Sequence, residues 1–147
     1  MIAVDTNILI YASDMQAGDK YRLAKTVLSG AMAAGRLVLP LQVLGEFAHV
    51  AVRKAKHSLV DVERLVSAWS AVAHVESYHL DDVRRALRAR AEHGFQFWDA
   101  LIWAVCERCR VPVLVSEDFQ DGRALGQVTF LDPFNPANAA RLGLTTP

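Results

Sequence analysis

Cysteine is nearly missing from this chain: its 147 residues hold two, Cys106 and Cys109. That excludes a disulfide-stapled scaffold, and a zinc site would need a second pair or histidines at ligand spacing. Both cysteines fall near the end of a helical pattern rather than at its start, where the dipole would lower a thiol pKa, so they read as reduced structural thiols. Long apolar runs are missing too. Nothing approaches the roughly 18 uninterrupted apolar residues of a membrane span, and the N-terminus has no basic stretch leading into a long apolar one. Membrane insertion and export are therefore not expected, and the cytoplasm is the expected location. Net charge is also missing, with 16 Lys and Arg against 16 Asp and Glu, and there is no linker or internal repeat.

What is present is apolar material, 52% of the residues, enough for one ordinary core in a chain of 16.2 kDa. Ile2-Ala3-Val4 has no polar alternation, the pattern of a strand buried on both faces at the centre of a parallel sheet. Asp19 to Ala34 predicts a helix offering Leu23, Val27 and Met32 to the core and stopping at Gly35. Leu37 to Leu39, closed by Pro40, predicts the second strand of a βαβ unit. Helices are expected from Leu41 to about Ala55, with Leu44, Phe47, Ala48 and Ala51 inward, and from Leu59 to Trp69. Val72 to Val75 reads as a third strand. Leu80, Val83, Leu87 and Ala91 mark the inner stripe of the next helix, and Trp98, Leu101, Ile102 and Val105 that of another. Val113 to Val115 and Val128 to Leu131 are the last strands. The alternation predicts an α/β fold, a mainly parallel central sheet flanked by helices. It is expected as one domain over residues 1–132, with residues 133–147 a loosely held tail rich in Pro, Asn and Thr.

Acids stand where these elements begin and end. Asp5 follows the first strand run, and Asp118 comes just after Val113 to Val115. Glu46 lies early in one helix, beside its apolar stripe, and Asp99 in the first turn of another. Ligands bind at the carboxyl ends of the strands in open α/β sheets, so four separate segments can bring four carboxylates to one edge. Taken singly, each acid is as well explained as a cap or a surface charge; Asp5, followed by Thr6 and Asn7, would cap a short helix starting near Asn7. Gathered, they would repel and raise one another's pKa unless a cation neutralised them. Oxygen-only ligands favour Mg²⁺ or Mn²⁺ over zinc. Two such ions sharing carboxylates serve in-line phosphodiester hydrolysis, with water activated on one side, the departing ribose 3′ oxygen neutralised on the other, and no side chain as covalent nucleophile. If Asp5, Glu46, Asp99, Asp118 and Asp121 share one cleft, only 11 other acidic residues face 16 basic ones. Neutrality is then the sum of an acidic cleft and a basic surround.

Four blocks, Val4-Asp5-Thr6-Asn7, Gln42-Val43-Leu44-Gly45-Glu46-Phe47, Phe97-Trp98-Asp99-Ala100-Leu101-Ile102 and Leu114-Val115-Ser116-Glu117-Asp118-Phe119-Gln120-Asp121-Gly122, resemble in order and spacing the successive signatures of a PIN-domain nuclease. Within that family the chain is most similar to the VapC toxins of bacterial toxin–antitoxin pairs, and the likeness runs from Asp5 to about Leu131. The resemblance implies a PIN-like fold, metal binding by Asp5, Glu46, Asp99 and Asp118, and Asn7 and Ser116 as supports. It adds Asp121 as a further acid, expected to be more mobile because Gly122 marks a turn and to reach the site only through water or a second ion. It also implies RNA cleavage with Mg²⁺ or Mn²⁺, a homodimer, and inhibition by a small antitoxin protein; the RNA target varies within the family and does not transfer.

Other classes fit less well. A haloacid-dehalogenase-type phosphatase needs a second Asp where Asn7 stands, and a phospho-accepting receiver domain needs a Lys after a later strand, whereas no Lys follows Lys56. The E-x-x-H pair Glu46–His49 lacks the second copy of a di-iron bundle. A housekeeping RNA-processing nuclease and a non-catalytic interaction module share the same acids. The neighbouring reading frame distinguishes the first from a toxin, and a metal-dependent nuclease assay the second. Arg84, Arg85, Arg88 and Arg90, with Arg53, Lys54, Lys56 and His57, could meet phosphates or an acidic partner, or serve as solvated faces. Phe95, Phe97 and Trp98 read as core residues rather than as RNA contacts.

Overall fold

The apolar run at the N-terminus becomes the middle of the sheet. The computed structural model describes residues 1–54 and 57–144, and within them six strands lie in the order β3-β2-β1-β4-β6-β5. Strand β1 (Ile2–Val4) is buried along its whole length and pairs in parallel with β2 (Leu37–Pro40) on one side and β4 (Val113–Val115) on the other. Strand β3 (His74–Glu76) extends the sheet beyond β2, and β6 (Val128–Leu131) beyond β4, both in parallel. The one antiparallel strand among the described residues, β5 (Ala124–Leu125), has no apolar run to mark it in the sequence; it is two residues long and folds back on β6 through Gly126. Gly126 has φ +58, and an added Cβ would lie 2.5 Å from the Glu107 carboxylate that accepts from the Gln127 N–H. The positive φ strains any side chain there, and one would also have to push the Glu107 carboxylate aside, loosening its bond to the Gln127 N–H.

Helices cover both faces. These are α1 (Thr6–Ser13), α2 (Asp19–Ala33), α3 (Leu41–Arg53), α4 (Leu59–Ser70), α5 (Leu80–His93) and α6 (Phe97–Arg108), followed by the single turn α7 (Ala139–Leu142). The core is one cluster running from β1 through Leu28, Leu39, Phe47 and Leu101 to Phe130. Expected and observed bounds agree to within two residues for α2, α3, α4 and the expected strands, and α5 and α6 span the stripes expected of them; Ala55, the expected end of α3, lies outside the described residues. Cys106 is buried, and burial pushes its thiol pKa up, which fits an inert structural thiol.

Two expectations fail, each for a packing reason. On α5 the buried residues are Asp82, Ala86 and Ala89, while Leu80 is 64% and Leu87 54% exposed. The helix approaches α6 through small side chains, and an ion pair is the polar fastener: Asp82 accepts from Arg108 Nε at 2.9 Å and from the His79 N–H at 2.8 Å. A stripe chosen by hydrophobicity alone misses a contact made by alanine and a paired acid. The second failure concerns the segment after Pro133, which is tied down rather than loose. It forms a 3₁₀ turn, Pro136–Asn138, then α7, and Leu142 joins the core at 6% exposure. Residues 145–147 lie outside the described residues.

Candidate active site

Chain connectivity reverses direction between β1 and β4: after β1 the sheet grows outward through β2 and β3, then returns to place β4 on β1's other side. Such a switch point leaves a crevice at the carboxyl ends of the two strands, because the connections leave in opposite directions. Asp5 and Ser116 are the first residues beyond those ends, and the Asp5 N–H still bonds the Val115 carbonyl at 2.9 Å.

Asp5 does two jobs. It is the N-cap of α1, its Oδ1 accepting from the Thr6 N–H at 2.6 Å, so the capping explanation of this acid is correct as far as it goes. Its Oδ2 accepts from Ser116 Oγ at 2.7 Å and faces Asn7 Nδ2 at 3.5 Å. Ser116 Oγ in turn accepts from the Asp118 N–H at 3.1 Å and from Asn7 Nδ2 at 3.1 Å. Asn7 Nδ2 also reaches Asp118 Oδ2 at 2.9 Å. Asn7 and Ser116 thus clamp Asp5 to Asp118 across the β1–β4 crevice. Glu46 enters from α3: Thr6 Oγ1 donates to its Oε2 at 3.0 Å and Gln42 Nε2 to its Oε1 at 2.6 Å. Asp99 comes from the first turn of α6 and, among the described residues, receives no hydrogen bond.

The acids are close enough to disturb one another. Asp5 is 4% exposed, and burial lifts its pKa to about 6; hydrogen bonds from Ser116 and Thr6 pull it down, while Asp99 and Asp118 push it up. Asp99 is also lifted to about 6, by burial first and then by Asp118 and Glu46. These are carboxylates held at a cost in charge. Asn7 Oδ1 and Gln42 Oε1, beside the acids, are buried without a partner. Among the described residues no group of three or more His, Cys, Asp or Glu side chains is arranged so that it could hold a metal ion as it stands. The donor chemistry nevertheless fits a hard divalent ion: every group is an oxygen, the acids repel one another, and Asp99 has no hydrogen of its own to accept.

Asp121 is not part of this network. Its Oδ1 accepts from the Asp132 N–H at 2.9 Å and Asn138 Nδ2 at 2.7 Å, and its Oδ2 from Asn135 Nδ2 at 2.6 Å. These donors, the Asp132 N–H first, hold its pKa below the usual carboxylate value. It is a fastener for the C-terminal segment, not a mobile acid. The neighbouring Glu117, passed over in the sequence, is engaged by Tyr11 Oη and by Lys20 Nζ, which also lies 4.6 Å over the Tyr11 ring. Nothing in the sequence links Glu117 to a lysine 97 positions earlier. His49 is exposed, its Nε2 3.2 Å from Arg53 Nη1, so E-x-x-H makes no metal pair here. Arg84, Arg85, Arg88 and Arg90 are all exposed, with Arg84 paired to Asp81; Lys56 lies outside the described residues. Among the aromatics, Phe95 packs against Phe119 and Phe130 as expected, but Trp98 is 56% exposed and is not core. No helix of the described residues is long and apolar enough to cross a membrane.

Comparison with known proteins agrees with this fold. No curated protein matches the sequence. Among solved structures the chain is similar to Mycobacterium tuberculosis VapC20, a toxin that cleaves the sarcin–ricin loop, with 23% identity over 78% of this chain and 87% of that one and a TM-score of 0.59. It is similar to a toxin–antitoxin complex from Klebsiella pneumoniae at 23% identity, 91% and 98% coverage and TM-score 0.66. It is also similar to VapBC2 from Rickettsia felis bound to a DNA fragment from their promoter, at 14% identity, 88% and 97% coverage and TM-score 0.62. The family model for the PIN domain matches residues 2–120, most of the chain and all four of the acids that ring the β1–β4 crevice, and the chain therefore belongs to the PIN-domain family.

Proposed function

We propose that this chain is a divalent-metal-dependent endoribonuclease, the toxin of a toxin–antitoxin pair, acting in the cytoplasm. The observation that carries the reading is the meeting of Asp5, Glu46, Asp99 and Asp118 at one switch point, two of them with pKa raised to about 6. The solved structures it resembles support the biological class: one is a toxin that cleaves the sarcin–ricin loop, one is a toxin–antitoxin complex and one is VapBC2. A small antitoxin as inhibitor and a homodimer as working form are part of the same proposal.

Asp5, Glu46, Asp99 and Asp118 would hold Mg²⁺ or Mn²⁺, one ion or two. The bound charge would neutralise the scissile phosphate, acidify water and offset the leaving 3′ oxygen. The chain's own residues prepare the site. Ser116 and Asn7 fix the Asp5 and Asp118 carboxylates relative to each other. Thr6 and Gln42 engage both oxygens of Glu46, so its orientation is set before any ligand arrives. Asp99, lacking a donor, is the carboxylate freest to take up a cation or a water proton. Ser116 Oγ donates to Asp5 and accepts from Asn7 and the Asp118 N–H, so it is tied up as a support between the acids, and water is the attacking group in this reading.

The test is direct. The purified chain should cut single-stranded RNA internally in Mg²⁺ or Mn²⁺, and EDTA should abolish cleavage. Full cleavage in EDTA, or none in either metal with the protein folded and free of antitoxin, would overturn the proposal.

A further inference from the structure

Beside the acids is a cleft of about 450 Å³ lined by Gln42, Gly45, Glu46, Tyr78 and Trp98. Its volume lies within the roughly 300–1,000 Å³ of small-molecule sites, yet it opens to solvent and two of its walls are aromatic. Trp98 is 56% and Tyr78 47% exposed. Large aromatic side chains left in water beside a catalytic group call for an explanation that core packing does not supply.

The sheet explains where the cleft lies. All strands from β3 to β4 are parallel, so their carboxyl ends form one edge. Gln42 and Gly45 come from the first half of α3, just past β2; Tyr78 follows β3 by two residues; Trp98 is the second residue of α6, one before Asp99. Neighbouring strands are about 4.8 Å apart, so the cleft at β2 and β3 lies one to two strand spacings along the edge from Asp5 at β1, and one spacing further from Asp118 at β4. Glu46 belongs to both places. Gln42 joins them physically, its Nε2 donating to Glu46 Oε1 at 2.6 Å and to the Trp98 carbonyl at 3.2 Å.

We infer that the cleft lined by Trp98, Tyr78, Gln42 and Gly45 is a stacking subsite for an unpaired base of the RNA strand, next to the phosphodiester bond held at the acids. The inference rests on the ribonuclease reading. An aromatic face takes any base, contributing about 1–3 kcal/mol per base with little sequence preference, which suits a single strand tracked past a cleavage point. Gly45 keeps the floor open: a Cβ there would meet nothing within 4 Å, and the helix needs no glycine for its backbone at this position. Placing a base here would hold the neighbouring phosphate against Glu46 and Asp99, and through Gln42 the occupied subsite would steady the Glu46 carboxylate.

Binding without cleavage tests this. In EDTA, short single-stranded RNAs carrying 2-aminopurine at one position are compared with RNAs abasic at the same position, which keep every phosphate. At one position the base-bearing strand should bind about tenfold or more tightly, and the 2-aminopurine fluorescence should be quenched. Trp98→Ala should erase that preference, Trp98→Phe should keep most of it, and Gly45→Leu should erase it by filling the floor without removing any polar group. Should Trp98→Ala fail to fold, Gly45→Leu alone decides. Equal binding of base and abasic strands at every position overturns the inference. So does a Trp98→Ala or Gly45→Leu protein that keeps the preference but loses self-association or the grip of a protein partner, for the cleft would then be a protein interface. RNA cleavage that survives EDTA would instead strike the metal-dependent reading while leaving the base preference standing.

Discussion

Asp118→Asn should lower single-turnover RNA cleavage by about a hundredfold or more, whereas Asp121→Asn should leave it within about twofold and lower the thermal midpoint instead. The two acids are three positions apart and both follow β4, yet the chain uses them differently. Asp118 faces Asn7 Nδ2, and its N–H is fixed by Ser116, which also holds Asp5. Loss of its charge removes a member of the cluster, because an amide neither neutralises a cation nor accepts equally on both atoms. Asp121 spends both oxygens on Asp132, Asn135 and Asn138. Replacing one oxygen by NH₂ sets a donor against a donor at Asn135 or Asn138. Hydrogen bonds to a charged group are worth about 1.5–3 kcal/mol each, so a midpoint loss on the order of 5 °C is expected. Its depressed pKa gives the matching pH dependence: this fastening is present above the unfolded value of 3.8 and is lost as pH falls through the folded value. Cleavage rate against Mn²⁺ concentration, measured beside thermal unfolding, checks both. A folded Asp121→Asn protein that is inactive at saturating Mn²⁺ would return Asp121 to the metal site.

A second large effect is expected from Asp5→Asn, on stability. The Asp5 carboxyl is raised from 3.8 to about 6 in the folded protein. The unfolded chain therefore releases this proton at lower pH than the folded one. Stability from the protonated group is complete below pH 3.8 and is lost as pH rises toward about 6, and Asp99 follows the same course with a smaller effect because it is only half-buried. The Asp5 shift corresponds to about 3 kcal/mol at neutral pH. Asparagine removes the charge and remains a good N-cap for α1 through its Oδ1. In EDTA at pH 7 the variant should thus be as stable as the parent or up to about 3 kcal/mol more so, with no gain at pH 3.5. Saturating Mn²⁺ should reverse the order, since an ion at 100 times its dissociation constant stabilises the parent by about 2.7 kcal/mol and the variant by much less. Urea unfolding at the two pH values, with and without Mn²⁺, reads all of this, and a parent protein indifferent to Mn²⁺ would contradict it.

The distribution of these effects shows what can be read from a linear chain. Uninterrupted apolar triplets identify β1 and β4 because burial on both faces leaves no room for polar residues, and acids just past such runs stand out for the same reason. Asp5 and Asp118 stand out on that ground, Asp99 by its place in the first turn of α6, and Glu46 only as an acid beside the apolar stripe of α3, past its first turn. The clamp was partly legible, Asn7 and Ser116 being short polar groups beside those acids. Asp121 was misread because its partners, Asn135 and Asn138, lie in a segment whose composition suggests looseness; side-chain amides that meet one carboxylate leave no periodic trace. The α5 stripe failed because Ala86, Ala89 and a paired Asp82 do not look apolar enough to face a neighbour. Trp98 looks like core by its type, but at the start of α6, one residue before Asp99, it faces the cleft it shares with Gly45 and is 56% exposed.

Four carboxylates should act as one unit on RNA. The most direct measurement is single-turnover cleavage of a single-stranded RNA by the parent, Asp5→Asn, Asp99→Asn and the double variant, each in saturating Mn²⁺ and in EDTA. Groups that serve one ion-dependent step are grossly non-additive, so each single variant should lose about a hundredfold or more and the double variant little beyond the worse single. Losses that multiply in the double variant, or cleavage by the parent that persists in EDTA, would contradict the account.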